Sequence, residues 1–355
     1  MFDLYEVSSS HKQKIDHVLN NALAFILRRQ QQNGAIPWFD EGKLDPWDHT
    51  ESIIALCIGK KYEAAKKGFL WLADNQNCDG TWFAKYLSKT DDKDADRQKI
   101  DTNFVAYPAT GLWAYYLSSH DTKFIHQMYP TVKKALNYVL SQQTTEGDIQ
   151  WANSSDEDLP RDALVTACSS ILRSLECGIF LADICHDNSN AWEQAYHQLA
   201  DALKNKPWRF DRTWESKDRF SMDWFYPILS GIYSPEEAKL RLKHDWDKFV
   251  EPQIGCRCVS DEPWVTIAES CELVMSLVNA QERIKAEEIF LQLLQWQDDD
   301  GGFWTGYVYK DKAIWPQEKT TWTAAAIIMA ADALYNISPA SPLLTSQSHL
   351  VHLGT

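Results

Sequence analysis

A repeat of about 55 residues, in which two kinds of helix alternate, constrains the fold of this chain more than any other feature. One kind is amphipathic, because its charged residues fall on one face of the helix. The other kind is apolar on almost every face, as in TWTAAAIIMAADALY at 321–335. A helix of that composition is normally buried. The chain therefore alternates between solvent-facing and buried helices.

The amphipathic segments are predicted at 11–30, 62–76, 130–143, 190–204, 235–250 and 282–297. The apolar segments are predicted at 49–59, 102–118, 162–185, 223–233, 264–279 and 321–335. Two concentric rings bury one set and expose the other, whereas an open solenoid leaves part of the apolar set uncovered. The pattern predicts an all-α fold, an (α/α)6 toroid or double ring of six helical hairpins. It forms one domain over 1–337, followed by a loosely ordered tail at 338–355.

Composition narrows the class of partner. The formal charge of −15 and the lack of clustered Lys and Arg argue against nucleic acid binding. The eight cysteines are scattered through helical segments, which predicts reduced, buried thiols. No run of 18 apolar residues and no signal-peptide pattern at the N-terminus are found, so we expect no membrane span. Together these features predict a cytoplasmic protein that acts on a small molecule.

The links from amphipathic to apolar helices share a signature. They read QQQNGAIPWF at 30–39, QNCDGTWFAKY at 76–86, QQTTEGDIQW at 142–151 and QWQDDDGGFWTGY at 295–307. Each has Gln, a polar turn with Gly, and then an aromatic residue. These links resemble the Gln–Gly–Trp repeats of squalene–hopene cyclases and the related terpenoid cyclase and protein prenyltransferase toroids. In such repeats we expect the Gln and Trp to fasten the outer helices together.

A second resemblance covers a shorter stretch. Asp101-Thr-Asn-Phe, Gly111-Leu-Trp-Ala-Tyr-Tyr, Asp121 and Tyr129-Pro are similar to the second hairpin of glucoamylase-type six-hairpin glycosidases. That resemblance implies the same double ring of helices and a carbohydrate substrate.

Acidic residues stand where the buried helices begin, and these helix starts are expected to meet at one end of the ring. The preferred catalytic candidates are Asp48, Asp101, Asp261 and Glu262. Clustered carboxylates with poor solvation raise one another's pKa, which allows one to donate a proton while its neighbour stays ionised. The alternative is structural, because Asp is a favoured N-cap and Asp48 with Glu51 has the spacing of a capping box. The sequence leaves both open.

The same links deliver aromatic side chains and further acids to that end of the ring. A π-face suits either a sugar ring or a developing carbocation. The residues predicted to bind substrate are Trp38, Trp47, His49, Tyr107, Asp162, Asp223, Trp224, Tyr226, Trp264, Trp304 and Glu318.

The sequence argues against a metal or a cofactor. The Asp-Cys pair at Asp183 and Cys185 has a prenyltransferase zinc spacing but falls at the wrong end of a buried helix. Cys256 and Cys258 permit thiolate ligation, yet four suitable ligands cannot be assembled around them. Phosphate loops, dinucleotide fingerprints and nucleophile elbows are absent. We therefore expect no metal and no cofactor.

Three functions remain open. The first is a terpenoid cyclase or prenyltransferase-like enzyme that acts on an isoprenoid by acid-initiated cation chemistry. The Asp-x-Asp-Asp proton donor of class II cyclases is missing, since Asp298-Asp-Asp300 is predicted to be a solvated turn. The second is an inverting glycoside hydrolase that uses paired carboxylates at the end of the ring. The third is a non-catalytic binding toroid.

Overall fold

The computed structural model describes residue 2 and residues 9–87, 99–153 and 161–350. Helices dominate it, and the two kinds alternate as predicted, although the third outer helix begins at Thr122 rather than at residue 130, so that Pro130 lies inside it. The outer helices are α1 (Ser9–Arg29), α3 (Tyr62–Asn75), α6 (Thr122–Ser141), α8 (Asn190–Asn205), α10 (Pro235–His244) with the short α11 (Trp246–Phe249), and α13 (Arg283–Leu293). The inner helices are α2 (Pro46–Ile58), α4 (Thr102–Ala106) with α5 (Pro108–Ser119), α7 (Val165–Ile184), α9 (Ser221–Leu229), α12 (Ile267–Asn279) and α14 (Thr321–Tyr335).

The inner helices close into a ring. In order around it, α2 packs on α5, α5 on α7, α7 on α9, α9 on α12, α12 on α14, and α14 returns to α2. The outer helices pack on the inner ring: α3 lies between α2 and α5, α6 between α5 and α7, and α8 packs on α7. The predicted (α/α)6 toroid is therefore confirmed.

The apolar composition of the inner helices explains their position. Apart from Trp322, every residue of α14 is buried. The inner helix α7 is long and apolar enough to cross a membrane, but most of it is buried inside this ring. The second inner helix divides into α4 and α5 because Pro108 has no N–H with which to continue the hydrogen-bond ladder.

The repeated glutamines fasten the outer ring, as the sequence analysis expects. The side-chain amide of Gln143 donates to the carbonyl oxygens of Gly147 (3.0 Å), in its own turn, and Ala195 (2.9 Å), on the next outer helix. Gln30, Gln76 and Gln297 make the same pair of bonds in their own repeats. Gly147 has a φ of +100°, and a Cβ there would lie 2.2 Å from the Gln198 carbonyl oxygen. Glycine is therefore required for this close approach.

Short strands, which the sequence analysis does not predict, join the links. β1 (Lys43–Leu44) pairs with β2 (Tyr86–Leu87), and β3 (Ile100–Asp101) pairs with β4 (Ala152–Asn153). Five further strands form an antiparallel sheet in sequence order. They are β5 (Val250–Glu251), β6 (Gly255–Arg257), β7 (Trp264–Thr266), β8 (Gly306–Val308) and β9 (Ala313–Ile314).

The segment after α14 turns back under the ring. Ser338, Leu343, Leu344 and Leu350 are buried there. Residues 351–355, the end of the stretch that the sequence analysis sets apart as a tail, lie outside the described residues. All eight cysteines are free. Five of them are buried as predicted, whereas Cys78 is exposed and Cys185 and Cys258 are half-buried.

Candidate active site

A cavity of about 290 Å³ opens where the inner helices begin. We call this the open end of the ring. Every inner helix contributes from its first two turns. The lining residues are Trp38, Trp47, Asp48, Glu51, Asp101, Asn103, Phe104, Trp151, Leu164, Thr166, Ala167, Met222, Ala268, Glu269, Glu272, Trp322 and Ala326.

The same helix positions recur around the cavity, because equivalent helices present equivalent faces to the ring axis. On α2 the second, third and sixth residues line it, namely Trp47, Asp48 and Glu51. On α12 the same positions hold Ala268, Glu269 and Glu272. Two carboxylate pairs, each spaced i, i+3, therefore face the cavity from helices that flank α14.

The N-cap of α2 is Asp45, which lies three residues before the predicted candidate Asp48. Its Oδ1 accepts the Asp48 N–H (2.9 Å) and its Oδ2 accepts the indole N–H of Trp38 (2.8 Å). Asp48 is therefore not the cap, and its carboxyl group is left to line the cavity. Burial, together with the charges of Asp45 and Glu51, raises the pKa of Asp48 well above its usual range.

Glu51 is buried and oriented by Trp47. The indole N–H of Trp47 donates to Glu51 Oε1 (2.7 Å), and the indole stacks on Tyr107 with ring centroids 4.8 Å apart. Burial, with smaller effects from the charges of Asp45 and Glu269, raises the pKa of Glu51 to about 8. Glu51 is consequently protonated at neutral pH and can donate a proton.

The α12 pair faces this side across α14. Glu272 is buried, and burial with the charges of Glu51 and Glu269 raises its pKa well above the usual range. Glu269 is half-buried, and its Oε2 has no hydrogen-bond partner among the described residues. In the part of the chain that the structure describes, no ion pair joins these four carboxylates to a cation.

Asp101 lies apart from these four as the N-cap of α4. Its Oδ1 accepts the Asn103 N–H (3.2 Å) and its Oδ2 accepts the indole N–H of Trp151 (2.7 Å). Burial raises the pKa of Asp101 to about 7. Asp101 therefore caps a helix, fixes a tryptophan and lines the cavity at once.

Of the residues predicted to act or to bind, the cavity is lined by Asp48, Asp101, Trp38 and Trp47. Tyr107 and Tyr226 pack against Trp47 from behind. His49 is buried in the outer wall, where Nδ1 accepts the Ile36 N–H and Nε2 lies 3.0 Å from the Gly68 carbonyl oxygen. Burial lowers the pKa of His49 to about 4, so this ring is neutral and holds the wall together.

The other predicted acids are not among the lining residues. Asp261 forms an ion pair with Arg219 on the surface, and Glu262 is exposed. Asp162 is buried and accepts hydrogen bonds from Arg212 and Thr213, so it anchors a loop. The remaining two acids also lie outside the lining: Asp223, whose pKa burial and Asp211 raise to about 6, and Glu318, whose backbone carbonyl accepts from Thr305.

Three predicted aromatic residues also pack elsewhere. Trp224 stacks on Phe249 and donates to the Arg241 carbonyl oxygen. Trp264 belongs to the five-stranded sheet and donates to the Trp315 carbonyl oxygen, and Trp304 lies under Lys319. The five-stranded sheet, which is not predicted from the sequence, accounts for the position of Trp264, whereas Trp224 belongs to α9.

Glu269 and Glu272 are not among the residues predicted from the sequence, and Glu51 is predicted only as part of a helix cap. A signal for all three is present in the sequence. Asp48 and Glu51 occupy the third and sixth positions of one apolar helix, and Glu269 and Glu272 occupy the same positions of another. Within the described ranges, no group of three or more His, Cys, Asp or Glu side chains is arranged to hold a metal ion.

Known structures with this architecture include carbohydrate-active proteins. A glycosidase solved in complex with glucose superposes with a TM-score of 0.71 at 13% identity, over 92% of this chain and 99% of that one. A D-mannose isomerase superposes with a TM-score of 0.70 at 12% identity, over 93% and 99% of the two chains. At such identities the likeness concerns the fold alone, and the fold is that of the glycosidase-type (α/α)6 toroids.

A sequence relative is more informative. The MMP endo-(1,4)-3-O-methyl-alpha-D-mannosidase of Mycolicibacterium hassiacum is 41% identical over 314 residues, which span 88% of this chain and 85% of that protein. The chain belongs to the family of this endo-mannosidase. No protein-family model matches the chain. The glycosidase resemblance is therefore supported, whereas the expected isoprenoid chemistry is not, and the likeness to terpenoid cyclases is limited to the helical ring and its Gln–Gly turns.

Proposed function

We propose that this protein is an inverting glycoside hydrolase that cleaves internal α-mannoside linkages. The observation that carries the proposal is the pair of carboxylate pairs, Asp48 with Glu51 and Glu269 with Glu272, on two helices separated by α14. Inverting glycosidases need two carboxyl groups far enough apart for a water molecule and the sugar to fit between them. Glu51 and Glu269 line one cavity from helices on either side of α14, which supports this assignment.

In the proposed reaction, Glu51 is the general acid. Its carboxyl O–H donates to the glycosidic oxygen as the bond from that oxygen to the anomeric carbon breaks. Trp47 holds the other carboxyl oxygen, so the proton is presented to the cavity. Because Glu51 must be protonated and its pKa is about 8, the rate should fall as the pH rises through that value.

Glu269 is the general base of this proposal. Its carboxylate removes a proton from a water molecule, whose oxygen attacks the anomeric carbon from the face opposite the leaving group. One C–O bond forms, one breaks, and the anomeric configuration inverts. Asp48 and Glu272 lie beside the reacting pair. Their carboxyl groups can form hydrogen bonds with the hydroxyl groups of the sugar and so orient it.

The substrate class follows from the relative and from the lining. The relative's name describes cleavage of a 3-O-methylated α-(1,4)-mannoside. In this chain much of the cavity wall is apolar, formed by Leu164, Ala167, Met222, Ala268 and Ala326. Such a wall accommodates the methyl groups of methyl ethers. A free hydroxyl group in the same place would lose its hydrogen bonds to water. We therefore propose an oligosaccharide of partly O-methylated α-(1,4)-mannose as the substrate.

The test is hydrolysis of 3-O-methylated α-(1,4)-mannooligosaccharides and of their unmethylated counterparts, followed by proton NMR of the anomeric signals. We expect internal cleavage, faster for the methylated series, and a first product with the β configuration. Protein carrying both Glu51→Gln and Glu269→Gln, purified in the same way, controls for contaminating hydrolases. A first product with the α configuration would exclude the inverting mechanism, and failure to cleave either series would exclude the proposed function.

A further inference from the structure

Two tryptophans at the open end are held by the same device. Trp38 donates its indole N–H to Asp45 Oδ2 (2.8 Å), and Lys43 Nζ lies 3.5 Å from the centre of its ring. Trp151 donates its indole N–H to Asp101 Oδ2 (2.7 Å), and Lys99 Nζ lies 3.9 Å from the centre of its ring. Each ring is thus fixed at its N–H edge and covered on one face by a cation.

The device arises from a short repeat in the sequence. Lys43-Leu-Asp45 precedes α2, and Lys99-Ile-Asp101 precedes α4. In both, the Lys begins or precedes a two-residue strand and the Asp is the N-cap of the inner helix. Both tryptophans are only half-buried and line the cavity, so each offers part of its ring surface to whatever enters.

The ring order places the two tryptophans on different sides of the carboxylates. Trp38 lies between α14 and α2, since it contacts Trp322 of α14 with ring centroids 5.5 Å apart and is bonded to the cap of α2. Trp151 lies between α4 and α7, since it is bonded to the cap of α4 and its backbone N–H donates to the carbonyl oxygen of Asp162, just before α7. In a six-membered ring α7 is opposite α14. A straight path from Trp38, beside α14, to Trp151, beside α7, therefore crosses the cavity between α2 and α12.

We propose that Trp38 and Trp151 are stacking platforms for sugar residues on opposite sides of the bond that is cleaved. The inference rests on the proposed function and adds the direction in which the chain crosses the cavity. A sugar chain that lies on both rings puts a central linkage between the carboxylates of α2 and α12. This arrangement makes cleavage internal, because sugars must be bound on both sides of the linkage.

The physical basis is the match between an indole and a pyranose. One face of a sugar ring presents C–H groups, which pack on an aromatic surface, while the hydroxyl groups at its edge remain available for hydrogen bonds. Because the Asp and Lys partners already fix each indole, little side-chain entropy is lost when sugar binds. From the usual strength of aromatic contacts, removal of one ring should weaken binding roughly two- to tenfold.

The experiment uses an α-(1,4)-mannooligosaccharide ladder, 3-O-methylated and labelled at the reducing end. Trp38→Ala and Trp151→Ala are compared with the parent protein and with Trp208→Ala, which removes an exposed indole outside the cavity. Trp38→Leu and Trp151→Leu remove the aromatic ring but fill more of its volume, so they replace the alanine variants if those fail to fold. Measured quantities are kcat, KM and the length of the labelled product.

We expect KM to rise roughly two- to tenfold in both platform variants with a smaller change in kcat. The labelled product should become longer in one variant and shorter in the other, and Trp208→Ala should match the parent. A shift in the same direction in both variants, or in neither, overturns the proposal while the hydrolase activity stands. If the parent cleaves no linkage, the proposed function fails. Calorimetric titration with the intact oligosaccharides then tests whether Trp38 and Trp151 bind sugar. Weaker binding in both variants supports the stacking proposal, and unchanged binding overturns it.

Discussion

The two ends of the ring differ in whether their buried acids are paired with a cation. At the open end, Glu51 and Glu272 are buried beside other acids and, among the described residues, have no cation bonded to them. At the other end, which we call the closed end, residues 338–350 fold across the helix termini. There the buried Arg173 bonds to Glu176 (2.5 Å) and to the carbonyl oxygens of Leu229 and Ser346.

Glu176 also bonds to the segment that covers the closed end. Its Oε1 accepts the hydroxyl of Ser348 (2.6 Å) and the His349 N–H (2.9 Å). A cavity of about 340 Å³ lies there as well, larger than the one at the open end, but the charged pair that lines it is already bonded. Cavity size alone therefore does not identify the candidate active site. Unpaired acids that are costly to bury do, because a protein retains such groups where function needs them.

The largest expected effect is on turnover at the open end. Glu51→Gln and Glu269→Gln should each lower kcat by roughly 100-fold or more, since a Gln cannot transfer the proton. Melting temperatures should equal or exceed that of the parent, because Gln has nearly the shape of Glu and adds no charge to the cluster of acids. Initial rates on the labelled oligosaccharide and thermal melts by circular dichroism measure both quantities.

Asp261→Asn is the matched control. This acid belonged to the sequence-based candidates, but it lies in an exposed ion pair, so its loss should leave kcat within about twofold. Full activity in Glu51→Gln would exclude this residue as the proton donor.

The second prediction concerns the closed end. Arg173→Met leaves the buried carboxylate of Glu176 without its cation, which costs about 3–5 kcal/mol of unfolding free energy. The specific activity of the folded protein should stay that of the parent. Adding Glu176→Leu to this variant should recover part of the loss, since an apolar pair avoids the desolvation of both charges. The recovery is incomplete because the Ser348 hydroxyl and the His349 N–H lose their acceptor. Chemical denaturation measures the free energies. A single variant as stable as the parent would show that the pair does not hold the closed end.

The third prediction is a fall in stability with rising pH. Burial raises the pKa of Glu51 to about 8 and that of Asp101 to about 7, above the ordinary carboxyl range. The stabilisation that goes with their protonated forms is complete below about pH 4 and is lost as the pH rises through about 7 and 8. The melting temperature should therefore fall by several degrees between pH 6 and pH 9.

Single variants distinguish the contributions of the two ends to the pH dependence of the melting temperature. Asp332 at the closed end also has its pKa raised to about 7 by burial, although Ser338 bonds to it through both N–H and O–H. Glu51→Gln should flatten the pH dependence and abolish turnover, whereas Asp332→Asn should flatten it and leave turnover intact. A parent protein whose melting temperature is constant over this range would contradict the raised pKa values at both ends.

The sequence predicted the ring because its periodicity is a property of each segment by itself. The apolar run 321–335 coincides with α14, and 62–76 nearly coincides with α3. It also predicted that acids and tryptophans gather where the inner helices begin. It could not decide which acids face the cavity, because that depends on the register of each cap. Asp45 rather than Asp48 caps α2, and Asp261 is paired by Arg219, 42 residues earlier in the chain.

The smallest predicted effect concerns the glutamines of the links, which we expect to contribute to stability and not to turnover. The side chain of Gln143 donates to the carbonyl oxygens of Gly147 and Ala195, whereas among the described residues the side chain of its neighbour Gln142 donates to the exposed Ser141 hydroxyl. Gln143→Ala should cost about 1–2 kcal/mol of unfolding free energy with kcat unchanged, and Gln142→Ala should cost almost nothing. Chemical denaturation of the two variants measures this difference. A loss of turnover in Gln143→Ala at full stability would mean that the glutamine turns act on substrate, and that the functional part of the open end is wider than its carboxylates and tryptophans.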